Sequence, residues 1–126
     1  MNELPTSVRQ GLDALNQGEY FAAHEYFEDA WRETQDSSRE FYRSLLHISG
    51  GLYRLTEDRP GAAKKFFRRA LHWLQFFSDT HMDLQVENIR DLLVQLIDDI
   101  DSGKPSIDII EEHAVQIAWE SQENSI

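Results

Sequence analysis

Apolar residues recur three and four positions apart along most of the chain, and strict alternation of apolar and polar residues is scarce before residue 105. This spacing predicts helices rather than strands. We expect helices at about 6–17, 20–33, 38–57 and 84–102, and a further one that follows Pro60 and Gly61, reaches Phe77 and precedes a loop at SDTHMD. The segment 105–126 is ambiguous between a sixth helix and a short extended tail.

The third predicted helix has an unbroken apolar seam. Its members follow at steps of four, three, four and three residues: Phe41, Leu45, Ile48, Leu52 and Leu55. A continuous stripe of this kind is the face that a helix buries against its neighbours. We therefore predict that this helix lies at the centre of the fold.

A shift of forty residues superimposes part of the chain on itself. The matched pairs are Gly11/Gly51, Leu12/Leu52, Leu15/Leu55, Ala22/Ala62, Ala23/Ala63, Phe27/Phe67 and Ala30/Ala70, and Tyr26/Phe66 is similar. Repeat arrays such as tetratricopeptide hairpins typically have small residues where helices approach closely and aromatic rings that fill the space between the helices. Chance agreement between amphipathic helices is the alternative explanation. We predict one domain over 1–126, a compact all-α bundle of five to six helices built from two related hairpins, with its helical body at 1–104.

Composition narrows the class of protein. The chain has 126 residues, of which 40% are hydrophobic, and a formal charge of −11. This much apolar material supports a folded core in spite of the charge. Because the sequence has no cysteine, disulfides, thiolate metal sites and a cysteine nucleophile are excluded, and a reducing cytoplasm is the expected location. We expect no nucleic-acid partner, since phosphate binding needs a clustered positive field, and no membrane partner, since neither a spanning segment nor a signal peptide is apparent.

The second predicted helix carries a cluster of polar and aromatic residues in the segment HEYFEDAWRE. Its members are His24, Glu25, Glu28, Trp31 and Arg32. His24 and Glu28 are four positions apart, as are Glu28 and Arg32, so a ladder of hydrogen bonds along one side could orient the imidazole. Alternatively, His24 is a histidine at the edge of the core that is paired for stability alone. The pattern His-Glu-x-x-Glu also resembles a zincin motif without its second histidine, but a third ligand is missing and we assign no metal.

The third predicted helix has a polar side away from its seam. Arg43, His47 and Arg54 lie there with the pair Gly50 and Gly51. Glycine inside a helix costs roughly 1 kcal/mol relative to alanine, so we expect a neighbouring helix or a ligand to approach closely. If this side faces the His24 cluster, the two together form a pocket for a small anionic or polar ligand. The alternative is a set of ordinary ion pairs between helices.

The fourth predicted helix contains the basic run KKFFRR. Lys64 and Arg68 are four positions apart, as are Lys65 and Arg69. We expect one of two arrangements: the acidic C-terminal third of the chain lies near this basic stripe, or both the stripe and the acidic residues are exposed to solvent. Nucleophilic catalysis finds no support, because the chain lacks cysteine and a Gly-x-Ser-x-Gly elbow, and it has no glycine-rich phosphate loop. We assign no catalytic residue and no cofactor.

The segment GEYFAAHEYFEDAWR and the region 41–70 together resemble a bacterial and archaeal family called domain of unknown function 309. The residues that match its two motifs are His24, Glu25, Glu28, Trp31, Arg32, Leu52, Tyr53, Leu55, Gly61 and Ala62. The resemblance implies a compact all-helical fold and supplies no activity. Ala22 stands where the family usually has Glu, His47 stands where it usually has Gln, and TEDRPGA replaces the more usual Arg-Gly-Asn turn.

These patterns favour a non-catalytic binding or scaffold module whose partner is a protein segment or a small polar ligand. The candidate binding residues are His24, Glu25, Glu28, Trp31, Arg32, Arg43, His47 and Arg54. The competing hypothesis is a hydrolase-type enzyme in which Glu28 orients His24 as a general base, with or without a metal. A third hypothesis is that the ladder is structural and the interaction surface lies elsewhere. Aromatic residues on a small acidic protein also make self-association a hypothesis to test.

Overall fold

Helices form nearly all of the regular structure in the computed structural model, which describes residues 3–113 and 117. Within these residues the helices are α1 Thr6–Asn16, α2 Tyr20–Glu33, α3 Arg39–Thr56, α4 Pro60–Leu74, α5 Val86–Asp101 and α6 Ser106–His113. Two short strands, β1 Thr80–His81 and β2 Leu84–Gln85, pair antiparallel between α4 and α5. The expected all-α bundle is confirmed. None of the helices in the described ranges has the length and apolar content needed to cross a bilayer.

Helix α3 lies at the centre of the bundle. It packs against α2, α4 and α6, while α1 packs on α2 and α5 on α4. All members of its predicted seam are buried: Phe41, Leu45, Ile48, Leu52 and Leu55. The central position of α3 follows from this seam, because a helix whose apolar side must be covered gathers neighbours around it.

The two hairpins, α1–α2 and α3–α4, each contain the same close contact between a glycine and a phenylalanine ring. A Cβ atom added at Gly11 would lie 2.7 Å from Cδ1 and 2.9 Å from Cζ of Phe27. A Cβ atom added at Gly51 would lie 2.8 Å from Cδ1 and 3.0 Å from Cζ of Phe67. Both members of the second pair are forty residues beyond those of the first, so corresponding residues make the same contact in each hairpin.

The two hairpins also turn in the same way. Gly18 and Asp58, again forty residues apart, both have positive φ, at 80° and 56°. The residue after each donates its backbone N–H to the carbonyl five positions earlier, at 2.8 and 2.9 Å. This is the left-handed helix ending that glycine favours and aspartate tolerates better than most residues.

The structure refines the predicted boundaries after α4. The loop expected at SDTHMD contains a tight hairpin whose central residues, Met82 and Asp83, have positive φ. Because Leu84 and Gln85 form the second strand of this hairpin, α5 begins at Val86 rather than at residue 84. The ambiguous segment 105–126 forms helix α6 at its start, and residues 114–116 and 118–126 lie outside the described residues.

Candidate functional site

A small cavity lies where α2, α3 and α4 meet. It has a volume of ≈ 60 Å³ and is lined by Phe21, His24, Gly50, Tyr53, Arg54 and Phe66. The Nδ1 atom of His24 is buried and has no hydrogen-bond partner among the described residues. It faces Gly50, where an added Cβ would lie 3.4 Å from it. Of the two partners expected for the pair Gly50 and Gly51, a helix or a ligand, the structure shows neighbouring helices: Gly51 meets Phe67, while Gly50 meets Phe66 and His24.

His47 lies one turn before Gly50 on α3, and its ring is 5.9 Å from that of Phe66. Its Nδ1 is also buried and, within the described part of the chain, without a hydrogen-bond partner. Burial lowers the pKa of His47 to about 4, and the nearby charges of Arg69, Arg43 and His24 act in the same direction. His47 is therefore a neutral imidazole at pH 7 in a region of positive potential.

A stack of arginine and tryptophan side chains links α2, α3 and α4. The guanidinium carbon of Arg43 lies 5.0 Å from the ring centroid of Trp31 and 4.6 Å from that of Trp73. Arg39 covers Trp31 at 4.5 Å and donates from Nε to the Trp31 carbonyl at 3.1 Å. Nε of Arg43 also pairs with Glu40 at 2.9 Å. These cation–π contacts fix Arg43 between the rings of Trp31 and Trp73. Arg43 therefore helps to hold α2, α3 and α4 together in addition to contributing a positive charge.

The carboxylates of the predicted ladder point elsewhere. Glu28 pairs with Arg32 at 3.2 Å on the surface, and Glu25 is exposed. Arg54 pairs with Glu57 at 3.3 Å while lining the cavity. Of the predicted site residues, the structure thus places His24 and Arg54 at the cavity. His47 is near enough to His24 and to Arg43 to interact electrostatically, but neither His47 nor Arg43 lines the cavity, and Glu25, Glu28 and Arg32 also lie outside it. No group of three or more His, Asp or Glu side chains that could hold a metal occurs in residues 3–113 and 117.

The basic stripe of α4 is partly paired with the acidic part of the chain. Lys64 forms an ion pair with Asp101 at the end of α5. The placement of the acidic C-terminal third beside this stripe, one of the two predicted arrangements, is therefore confirmed at that position.

The sequence did not predict a second cluster of polar residues, which contains Ser38 and His81. Ser38 Oγ lies 2.9 Å from Nε2 of His81, and both line a groove of ≈ 730 Å³ that also includes Tyr42 and Asp36. Burial lowers the pKa of His81, and Asp36 opposes this effect. Ser38 and His81 are 43 residues apart, and no spacing rule for a single helix connects them.

Comparison with known proteins places this site in a family context. The model of the family "Domain of unknown function (DUF309)" matches residues 8–66. The resemblance to DUF309 is confirmed. The matched region contains α1 from Val8 onward, α2, α3 and the first part of α4, so it includes every residue that lines the His24 cavity.

One curated relative also matches this chain. It is an "Uncharacterized protein" from Aquifex aeolicus (strain VF5), 23% identical over 99 residues, which are 78% of this chain. The matched part spans only 30% of the length of that relative. Neither DUF309 nor this relative comes with a described activity.

Proposed function

We propose that this protein is a non-catalytic binding module that accepts a carboxylate side chain of a partner polypeptide in the cavity beside His24. The observation that carries the proposal is the buried, unpartnered Nδ1 of His24 at the wall of that cavity. A buried polar atom without a hydrogen bond costs about 1–3 kcal/mol. When Nδ1 carries the ring hydrogen, an acceptor in the cavity satisfies it.

The size of the cavity favours one side-chain head group over a whole metabolite. Its volume is ≈ 60 Å³. Sites for drug-sized ligands are usually about 300–1,000 Å³. A partner that inserts a single carboxylate while its backbone stays on the surface fits this volume.

The rim of the cavity has the composition of a protein interface. Phe21 is 54% exposed, and its ring lies 5.3 Å from that of Tyr53. Arg54 lies over both Tyr53 and Phe66, with 5.6 Å to each ring centroid. Aromatic residues and arginine are the types most enriched at interface hot spots.

Charge favours an anion over a cation in this cavity. Although the whole chain carries a charge of −11, the guanidinium groups of Arg69 and Arg43 lie near enough to His47, one turn before Gly50, to lower its pKa. Arg54 adds a guanidinium at the rim. A carboxylate is therefore attracted locally, while a lysine or arginine side chain is repelled.

An NMR titration of the full chain tests the proposal. Capped glutamate, with acetyl and methylamide ends, is expected to shift the signals of His24, Gly50 and Tyr53, and capped lysine is expected to leave them unchanged. Gly50→Ala places a Cβ 3.2 Å from Phe66 in the cavity and should abolish the response. Gly61→Ala, where an added Cβ meets nothing within 4 Å, is the matched control and should keep it. Equal responses to both probes, or in both variants, would contradict the proposal.

An arginine pair provides a second control. Arg54→Ala removes the guanidinium at the rim and should weaken the response to capped glutamate, whereas Arg32→Ala, whose side chain is 65% exposed outside the cavity, should not. The hydrolase hypothesis needs Glu28 to act on His24, but Glu28 pairs with Arg32, so no contact among the described residues favours it. We propose the reducing cytoplasm as the place of action, since the chain has no cysteine.

A further inference from the structure

The polar side of α3 continues past the His24 cavity toward the start of the helix. Gly50, at the cavity, and Arg43 are seven positions apart, so they lie on one side of the helix about 10 Å from each other along its axis. Arg43 lies between the rings of Trp31 on α2 and Trp73 on α4. We call this surface, from Gly50 to Arg43 with Trp31 and Trp73 beside it, the α3 face. The same two helices flank it at both ends.

Several polar side-chain atoms along the α3 face lack a hydrogen bond. Among the described residues, the buried atoms without a partner include Nδ1 of His24, Nδ1 of His47 and Nε1 of Trp31. The indole nitrogen can only donate, and a neutral imidazole donates from one of its two nitrogens. A buried donor without an acceptor is unfavourable. These atoms therefore favour a ligand that brings acceptor oxygens to both ends of the face.

The Arg43 end of the α3 face carries positive charge and exposed aromatic surface. Arg43 pairs with Glu40 at 2.9 Å, and Arg39 lies 3.7 Å from the same carboxylate. Because two guanidinium groups share one carboxylate, these three side chains have a net positive charge. The side chain of Arg43 is 25% exposed, so an anion from solution can reach it. Beside Trp73, the ring of Phe76 is 66% exposed, and aromatic residues near arginine are typical of interface hot spots.

We propose that the partner segment accepted in the His24 cavity carries a second carboxylate, which binds Arg43 and the indole N–H of Trp31 at the other end of the α3 face. This inference rests on the proposed function, because the first carboxylate occupies the cavity. It identifies the partner more closely as an acidic polypeptide segment with two carboxylates about 10 Å apart. A basic segment is repelled at both ends of the face.

The length of the α3 face sets the spacing of the two acidic residues. A short linear segment does not hold an α-helix in water, whereas polyproline II is a major conformation of unfolded chains. It has three residues per turn and a rise of about 3.1 Å per residue, so residues i and i+3 lie on one side about 9 Å apart. The pattern Glu-x-x-Glu in this conformation therefore matches the face, and two adjacent glutamates do not.

Two capped tetrapeptides of the same composition and charge test this spacing. Glu-Pro-Pro-Glu holds its carboxylates at the expected separation, and Glu-Glu-Pro-Pro places them side by side. In an NMR titration of the full chain, Glu-Pro-Pro-Glu should bind about fivefold or more tightly than Glu-Glu-Pro-Pro and than either single-acid peptide, Glu-Pro-Pro-Gln or Gln-Pro-Pro-Glu. It should shift the indole N–H signal of Trp31 together with the signals of His24 and Gly50.

An arginine pair locates the second carboxylate. Arg43→Gln removes the charge but keeps a long side chain between the two rings, and it should reduce the affinity for Glu-Pro-Pro-Glu to that of the single-acid peptides. Arg32→Gln is the matched control, because Arg32 is 65% exposed outside the α3 face, and it should bind as the wild type does. If Arg43→Gln does not fold, the peptide series and the Trp31 signal in the wild type decide.

The outcomes separate this inference from the proposed function. If the acidic peptides shift His24 and Gly50 but both spacings bind equally, or if the Trp31 signal does not move, the second contact is overturned and the first stands. If no acidic peptide shifts His24, both are overturned. Tighter binding of a single-stranded oligothymidylate than of Glu-Pro-Pro-Glu would assign the face to nucleic-acid phosphates and would also overturn the inference.

Discussion

The ring of Phe67 occupies the space that a side chain at Gly51 would need. Phe27 stands in the same relation to Gly11, forty residues earlier in the chain. In each hairpin a helix can approach its partner closely only because the facing residue is glycine. The two contacts are thus equivalent parts of one packing scheme.

We predict that Gly51→Ala and Gly11→Ala both destabilise the fold. The added methyl group overlaps a buried ring, and overpacking of this kind costs about 1–3 kcal/mol, which outweighs the roughly 1 kcal/mol that alanine gains in a helix. Gly61→Ala meets no atom and should be neutral or slightly stabilising. Urea unfolding monitored by circular dichroism measures all three free energies.

A double-mutant cycle isolates the contact. Phe67→Leu removes the ring that the new methyl group would strike, so Gly51→Ala should cost less in that background than in the wild type. Equal costs in both backgrounds would show that the glycine is needed for another reason.

The sequence was sufficient to predict α1 to α5 and to indicate a repeat, but it left open whether 105–126 begins with a helix, where the structure has α6. The seam of α3 has the helical period, and the match of Gly11 to Gly51 indicates that the two hairpins pack alike. The helix ending at Asp58 was harder to see. Its equivalent is Gly18, and aspartate is not the residue that normally signals a left-handed ending.

The candidate site was predictable only in part. The spacing of His24 and Glu28 permits a contact, but spacing does not decide which partner Glu28 takes, and it takes Arg32. Trp73 was not predicted to meet Arg43, because that contact depends on how α4 packs on α3. The contact between Ser38 and His81 joins residues 43 positions apart, which helical periodicity does not report.

His47 should make stability depend on pH. Its pKa is near 6.5 when the chain is unfolded and about 4 when it is folded, so the unfolded chain binds the extra proton between these values. Stability should therefore fall as the pH decreases from 6.5 and level off below about 4. With allowance for partial exposure of the ring, we expect His47 to account for about 1–2 kcal/mol of this loss.

Stability also falls in acid because carboxylates become protonated. Comparison with His47→Gln separates the contribution of His47 from that of these carboxylates. Glutamine is the residue that the resemblance to DUF309 implies at this position, and it does not titrate. Urea unfolding at pH 6.5 and near pH 4 should show a smaller loss for His47→Gln than for the wild type. The same loss in both proteins would mean that His47 is not the source.

Arg43 should contribute to stability through the two tryptophan rings. Arg43→Ala removes both cation–π contacts and the pair with Glu40, and we expect a loss of about 1–2 kcal/mol with a change in tryptophan fluorescence. Arg43→Lys keeps the charge without the planar group and should be intermediate. Arg32→Ala, on the exposed side of α2, should stay within about 0.5 kcal/mol of the wild type, and a similar value for Arg43→Ala would contradict this prediction.

Helix α6 should be held on α5 by a contact that weakens at low pH. His113 Nε2 lies 2.6 Å from Asp99 Oδ2, and Lys104 pairs with the same carboxylate at 3.4 Å. The hydrogen bond from His113, with help from Lys104, lowers the pKa of Asp99, so this stabilisation is present above the ordinary carboxyl pKa and is lost as the pH falls through the lower folded value. Asp99→Asn should therefore increase hydrogen exchange in Ser106–His113 at neutral pH. Asp108→Asn, an exposed substitution on α6, is the control, and equal exchange in the two variants would show that the Asp99 contact does not hold the helix.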